Sequence, residues 1–474
     1  EGGAGDGPKE GPLGICEALS YGIDMVAQGE DQAAAWGGLE SGSEQDATSL
    51  RGSTMTIDHL TEEGVDIGAE RLSTPTMSKD GEGGRGSPSA GEPVAAPGGP
   101  SRARSDSMDP CRVPEADDFR RVAQLSLELE GQEYLFEAHA PFVFQSIRRR
   151  FFMMEDEEYV QTMCREPLKM VGEGEGKSGC YFMFSKDQRL IIKSVRKSEF
   201  PFLVRILMGY YEHIEANTFH SLLPRYLGLY KIKLPNRPVE RLVVMNNLFH
   251  VPGPEPRPKI MQKFDLKGSL LKRYVTDEER NAGVSVLKDL NFCQHHNGTD
   301  NKGNTIKALH GPCRKLRIGK LRWSSFVANI MNDVDFLRAH NIMDYSLLLG
   351  TAPVPTDLKE VQLRRSSNGR IDAEAAATAA AEAAVYHLKK ECQTEWQRDF
   401  GGLRARNDDE EEENVIYYMG IVDILQEFNM KKRLESAYKT RVQVLAGKDP
   451  TLISAVDSSV YAQRFVNFMT DHIR

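Results

Sequence analysis

Gly174-Glu-Gly-Lys-Ser-Gly179, followed by Cys180-Tyr-Phe-Met-Phe184 and Arg189-Leu-Ile-Ile-Lys-Ser-Val195, is the stretch on which the fold turns. Two kinds of phosphate loop compete for its glycine-rich part. A loop of the form G-x-x-x-x-G-K-S needs glycine at position 171, where the chain has Val171, and a helix behind it. Instead, two short apolar runs follow, separated by the turn-prone Ser185-Lys-Asp-Gln188, and this pattern predicts a β-hairpin. Gly174, Gly176 and Gly179 fit G-x-G-x-x-G around Lys177 and Ser178. Glycines there let backbone amides approach phosphate groups, and the second strand of the hairpin would bring Lys193 to the same phosphates. Taken alone, the loop reads equally well as a flexible turn and Lys193 as an exposed charge.

Working outward, residues 201–219 have helical periodicity, and residues 227–234 and 241–245 read as further strands. Upstream, Phe142, Phe144, Ile147, Phe151 and Phe152 recur at spacings that suit an amphipathic helix. The folded domain is expected to begin near Asp118 and to run to residue 474. Residues 1–117 are rich in Gly, Ser, Pro and Ala and bury too little apolar surface to offset the entropy of ordering, so they read as a disordered, low-complexity region. A variable insert is expected at about 351–414, with an Ala-rich solvated helix and the acidic run 408–413. Apolar patterning resumes at Val415-Ile-Tyr-Tyr-Met-Gly-Ile-Val-Asp423.

Composition sets outer limits. The 474 residues carry a net charge of −9, which argues against nucleic acid as a partner. The average hides basic clusters at 148–150, 314–322 and 431–433, each a candidate surface for anionic lipid. Seven scattered cysteines without a Cys-x-x-Cys pair read as reduced thiols in a cytosolic protein, and Cys293, His295 and His296 lack the clustering of a zinc site. No apolar run is long enough to span a bilayer, and the N-terminus lacks the basic start and apolar stretch of a secretory signal. The chain begins at Glu1, as a piece of something longer would.

Phosphoryl transfer needs one group for the acceptor hydroxyl and another for Mg²⁺. Asp344, among apolar neighbours, and Asp423, at the end of an apolar strand, are the candidate acids, although each residue type is as often a cap or turn acid. The H-R-D-L-x-x-x-N signature of ordinary protein kinases is missing, which disfavours that class. In its place stand Lys263-Phe-Asp-Leu-Lys-Gly-Ser269, Met343-Asp-Tyr-Ser-Leu-Leu-Leu-Gly350 and Gly420-Ile-Val-Asp-Ile-Leu-Gln426. With Ile191-Ile-Lys-Ser-Val195 and Leu287-Lys-Asp-Leu-Asn-Phe292, these resemble the phosphatidylinositol phosphate kinase family over residues 118–474 outside the insert.

That resemblance implies an α+β, two-lobed kinase-like domain, with an antiparallel sheet in the N-terminal lobe and a smaller sheet plus helices in the C-terminal lobe. It implies ATP and Mg²⁺ as cofactors, the glycine loop and Lys193 on ATP phosphates, and Asn247, Leu248 and Phe249 at the adenine side. Asp344 would serve the acceptor hydroxyl, Asp423 the metal, and Asp265 and Lys267 would lie in the cleft. Lys431, Lys432 and Arg433 would face the membrane, where each basic residue near an anionic leaflet contributes about 1 kcal/mol. Glu435 resembles the acidic residue of type I members, which act on phosphatidylinositol 4-phosphate; Tyr438 departs from their usual Trp. The implied placement is peripheral, at the cytoplasmic face of the plasma membrane, with a homodimer left open. The rival is a catalytically silent phosphoinositide-binding scaffold, which would have lost one of Lys193, Asp344 or Asp423.

Overall fold

The structure, a computed structural model, describes residues 19–20, 22–24, 55–59, 112–129, 132–173, 180–252, 257–293, 298–300, 302, 304–306, 315–355, 394–397, 399, 401–428 and 457–474. In chain order, the N-terminal lobe holds β1 (Met55–His59), β2 (Arg121–Leu129), β3 (Gln132–His139), α1 (Pro141–Phe151) and α2 (Asp156–Val160), followed by a single π-helical turn. Then come β4 (Lys169–Glu173), β5 (Tyr181–Phe184), β6 (Leu190–Ser194), α3 (Glu199–Ala216), β7 (Tyr226–Lys233) and β8 (Glu240–Asn246). The C-terminal lobe holds β9 (Gln262–Leu266), α4 (Asp277–Asn281), β10 (Val286–Lys288), α5 (Asp289–Phe292), β11 (Gly298–Thr299), β12 (Thr305–Ile306) and α6 (Lys320–Ala339). It closes with β13 (Ser346–Pro353), β14 (Leu403–Arg406), β15 (Glu412–Val422) and α7 (Ser458–His472).

Eight strands form an antiparallel sheet in the order β1-β2-β3-β7-β8-β6-β5-β4. The expected hairpin is β5 and β6, with Phe182 opposite Lys193 and the turn closed at Gln188, whose φ is 63°. The second sheet has the order β10-β9-β13-β15-β14, with one parallel pair, β10 and β9. Together they form the two-lobed α+β architecture that the motifs implied. The helices lie where periodicity put them: α1 starts at Pro141, whose missing N–H costs nothing at a first helical position, and buries Val143, Phe144, Ile147 and Phe151. α3 buries Phe200, Leu203, Ile206, Leu207, Tyr210 and Ile214 on a 3.6-residue period. One apolar core runs through both lobes.

Three sequence expectations meet differences. The basic cluster 148–150 is no free lipid surface. Arg148 is buried, bonded to the Leu227 carbonyl and Asp156 and stacked on Tyr159, while Arg149 pairs with Glu155 and Asp156 and Arg150 with Glu215. Three guanidiniums held this way fasten α1 to its neighbours instead of facing solvent ions. The outer limits expected for the insert, 351 and 414, fall inside β13 and β15, and β14 and the buried Trp396 lie between them; the Ala-rich segment is outside the described residues. Of residues 1–117, Met55–His59 form the edge strand β1, and Leu19 and Ile23 are buried in the core with Gly22 against the Phe136 ring. Arg112 pairs with Asp118, so the continuous stretch of the domain begins six residues before the expected boundary.

Candidate active site

Antiparallel pairing brings distant motifs together. On one side Ser346 lies opposite Val422; on the other Leu347 lies opposite Leu266, so Lys267, Asp344 and Asp423 all sit at one end of β9, β13 and β15. Pairing resumes beyond the gap, where Ile342 bridges Glu427 and the Met343 N–H donates to the Gln426 carbonyl at 3.0 Å. Asp344 and Asp423 therefore head two interruptions of one continuous strand pair. Both have left-handed backbones, φ 66° and 61°, which non-glycine residues adopt at a cost. Tyr345 and Ile424, the residues that follow them, are wholly buried and hold the interruptions in place. The pleat thus anchors one side chain and turns its neighbouring carboxylate outward: Asp344 is 37% exposed and Asp423 57%.

From the other lobe, β6 extends Lys193 so that its Nζ donates to Asp423 Oδ1 at 2.6 Å. Lys267 Nζ donates to Asp344 Oδ1 at 2.9 Å and to the Asp344 carbonyl at 2.7 Å. Burial works against the charge on Lys193, but the Asp423 carboxylate outweighs it and raises the pKa above the ordinary lysine value. For Lys267 burial is likewise outweighed, by Asp344 and then Asp265. Burial pushes the Asp265 carboxyl up, yet Arg273, Lys267 and a hydrogen bond from Ser346 hold it below its usual value. Both lysines are thus ammonium ions and Asp265 a carboxylate at neutral pH. The cleft holds two cation–carboxylate pairs whose carboxylates reach solvent.

Beneath them lies a residue that sequence reasoning missed. Asp289 is fully buried; its Oδ1 accepts from the N–H groups of Lys267 and Gly268 at 2.8 and 2.7 Å, and its Oδ2 from Arg273 Nε at 2.5 Å. Arg273 then reaches the Asp265 carboxylate at 3.0 Å. Asp289 thereby fixes the turn that aims Lys267. Its motif, Leu287-Lys-Asp-Leu-Asn-Phe292, was visible, but its role depends on partners 16 to 22 positions away in the chain.

Asn247, Leu248 and Phe249 connect the lobes. The Asn247 N–H donates to the Arg189 carbonyl at 2.8 Å and its Nδ2 to the Gln188 carbonyl at 2.7 Å, clamping the connector to the hairpin turn. On the far side it rests on two glycines of the second sheet: a Cβ at Gly350 would lie 2.7 Å from the Phe249 ring, and one at Gly420 3.1 Å from Leu248. A D-F-G tripeptide does occur, Asp399-Phe-Gly401, but Asp399 closes a tight turn with Gly402 and its carboxylate accepts from the Arg404 N–H at 3.0 Å. It carries no protein-kinase role there. Gly174, Gly176, Lys177, Ser178 and Gly179 lie outside the described residues, although the strands on either side pair, Glu173 opposite Tyr181. Lys431, Lys432, Arg433 and Glu435 are also outside them.

Residues 162–472, a span that includes every element of this site, match the family profile described as phosphatidylinositol-4-phosphate 5-kinase. The chain belongs to this family. Among phosphatidylinositol 4-phosphate 5-kinases it is similar to its3 of Schizosaccharomyces pombe, 28% identical over 75% of this chain and 50% of that protein. The mouse type-1 alpha enzyme is 30% identical, over 76% of this chain and 63% of its own length, and the human type-1 beta enzyme 31%, over 76% and 64%. The chain thus spans between half and just under two thirds of these 5-kinases. Among the described residues, no helix is long and apolar enough to cross a membrane.

Proposed function

We propose that this chain is a lipid kinase that transfers the γ-phosphate of ATP to the 5-hydroxyl of phosphatidylinositol 4-phosphate. The observation that carries this reading is the Lys193–Asp423 contact between the lobes, set beside the Lys267–Asp344 pair at the end of the same strands. Phosphoryl transfer leaves a protein mainly positioning and charge stabilisation to supply. Lys193, kept protonated, meets the phosphate chain of ATP. Asp344 accepts or orients the proton of the inositol hydroxyl, and Lys267, bonded to its carboxylate and carbonyl, holds that side chain aimed. Asp265 and Arg273 set the turn from which Lys267 projects. Asn247, Leu248 and Phe249 form the adenine side of the cleft.

The donor set suits Mg²⁺. Asp423 offers hard oxygens near solvent, and Mg²⁺ characteristically takes one or two carboxylates together with substrate phosphates and water. When bound, Mg²⁺ neutralises charge on the phosphates. Residues 174–179 cover the phosphates, Lys431, Lys432 and Arg433 hold the active face to an anionic, cytoplasmic leaflet, and Glu435 favours the 4-phosphate.

The test is transfer from ATP to liposomes that carry each phosphatidylinositol monophosphate in turn. Product from the 4-phosphate should exceed that from the other isomers by at least tenfold, and Asp423→Asn should reduce it to background with the melting temperature unchanged. Equal use of all isomers would remove the regiochemical assignment, and retained turnover in Asp423→Asn the assignment of Asp423.

A further inference from the structure

A cavity of about 160 Å³ opens on the N-terminal sheet and is lined by Leu135, Glu137, Lys231, Lys233, Val239 and Arg241. None of these belongs to the cleft that holds Lys193, Lys267, Asp344 and Asp423. Strand register explains the lining. Leu135 lies opposite Lys233, Glu137 opposite Lys231, and Lys231 opposite Arg241, and directly opposed residues of a sheet share a face. Three adjacent strands therefore put three cations and one carboxylate in one concavity.

The charges do not balance. Glu137 Oε2 is already occupied by Lys231 Nζ at 2.9 Å and His139 Nε2 at 3.0 Å. Arg241 Nη1 donates to the Val239 carbonyl at 2.9 Å, and neither Arg241 nor Lys233 has an ion pair among the described residues. Lys231 and Arg241 oppose each other directly, an arrangement that destabilises an antiparallel pair. Phe200 of α3 lies 5.2 Å from Lys231 Nζ and edge-on to His139, which restricts where Lys231 can swing. An anion placed between Lys231, Lys233 and Arg241 would turn this repulsion into attraction. The volume is below the ~300–1,000 Å³ of pockets for drug-sized ligands, so the fitting group is small.

We infer that Lys231, Lys233 and Arg241 form a binding site for a phosphate monoester or similar small polyvalent anion, separate from the transfer site. Two sources present that chemistry, a soluble phosphate and the headgroup of a monoester lipid.

The experiment compares the intact chain with Lys233→Gln/Arg241→Gln, always with saturating ADP so that the transfer site is filled. Sodium phosphate and pyrophosphate are titrated at constant ionic strength. In a second arm, vesicles of phosphatidylcholine with phosphatidic acid are compared with vesicles of equal charge that carry phosphatidylserine. A soluble source predicts saturable phosphate or pyrophosphate binding that weakens at least tenfold in the variant. A lipid source predicts a tenfold loss on phosphatidic acid vesicles and little change on phosphatidylserine. Thermal melting supplies an independent readout: without added phosphate the variant should melt no lower than the parent, because like charges have been removed, and the anion that binds should raise only the parent. Basal transfer should be unchanged in the variant. If the two proteins bind and melt alike in both arms, the site does not exist; should the double variant fail to fold, exposed Lys233→Gln alone must weaken binding at least threefold or the proposal falls.

Discussion

At the scale of single residues, Asp344 and Asp423 stand out because each combines an exposed carboxylate with a left-handed backbone and a buried residue directly after it. Strain of this kind persists where surrounding structure over-determines it, and it is concentrated at functional sites. The backbone also dictates how the acid should be tested. Asn tolerates the left-handed region, so Asp344→Asn should keep the melting temperature while lowering kcat by about 10²–10⁴, the range of general acid–base contributions. Asp344→Val should lose the same activity and in addition cost about 1–2 kcal/mol, because a side chain there meets the following carbonyl. Paired melting and turnover measurements check both; a stable, active Asp344→Asn would remove Asp344 from the acceptor side. Sequence alone named both acids from their apolar surroundings. It could not foresee their exposure, since burial of Tyr345 and Ile424 is what turns the carboxylates outward.

The element on which the proposed nucleotide site most depends is the connector that carries Asn247, Leu248 and Phe249. Gly350 pairs with Tyr418 and Gly420 with Leu348, strand interiors where glycine is otherwise unfavourable, and both are small because the connector's side chains lie on them. Gly350→Ala should therefore raise KM for ATP several-fold with a smaller change in kcat, and Phe249→Leu in the same chain should restore part of the loss; nucleotide titration of the single and double variants is the check. His250 closes the connector's turn and is pushed down to about 4 by burial, with the Arg189 charge adding to the effect. Its folded pKa lies below the ordinary value of 6.5, so the unfolded chain takes up the proton first. Stability from the neutral imidazole is complete above pH 6.5 and drains away as pH falls toward about 4. His250→Gln should accordingly lose less melting temperature than the parent across that window, and coincident pH–melting curves would contradict it. The hairpin, α1, α3 and the strands after it were legible because period and turn residues are local signals. The insert's edges were not, because β14 joins its sheet through partners that a local pattern does not reveal.

Across the whole molecule, the question is what keeps Lys193 of one lobe within reach of Asp423 of the other. A chain of hydrogen bonds supplies one answer. Asp333 on α6 is buried; its Oδ1 meets His213 Nε2 of α3 at 2.7 Å and its Oδ2 accepts from the Leu222 N–H at 2.7 Å. The Leu222 carbonyl then accepts from the Ile421 N–H at 2.8 Å, two residues before Asp423. His213 also stacks on Phe336 of α6, with ring centroids 4.7 Å apart. A helix of each lobe is thus joined through one carboxylate, and the Leu222 peptide links it on to the strand that leads to Asp423. None of this was legible in the sequence, where no local pattern sets Asp333 apart from its polar neighbours. Asp333→Asn keeps the shape but replaces one acceptor by a donor. Its Oδ1 can still accept from the Leu222 N–H, but its Nδ2 then faces His213 Nε2, which accepts only as the Nδ1–H tautomer, and losing the buried bond to the carboxylate costs about 1–3 kcal/mol. Because Leu222 also holds Ile421 through its carbonyl, a shift there reaches Asp423, and kcat should fall more than KM for ATP rises, by tenfold or more at a temperature where the variant is still fully folded. A variant that is destabilised but turns over at the parental rate would mean that the strut serves stability alone and that Lys193 and Asp423 are held together by their own strands.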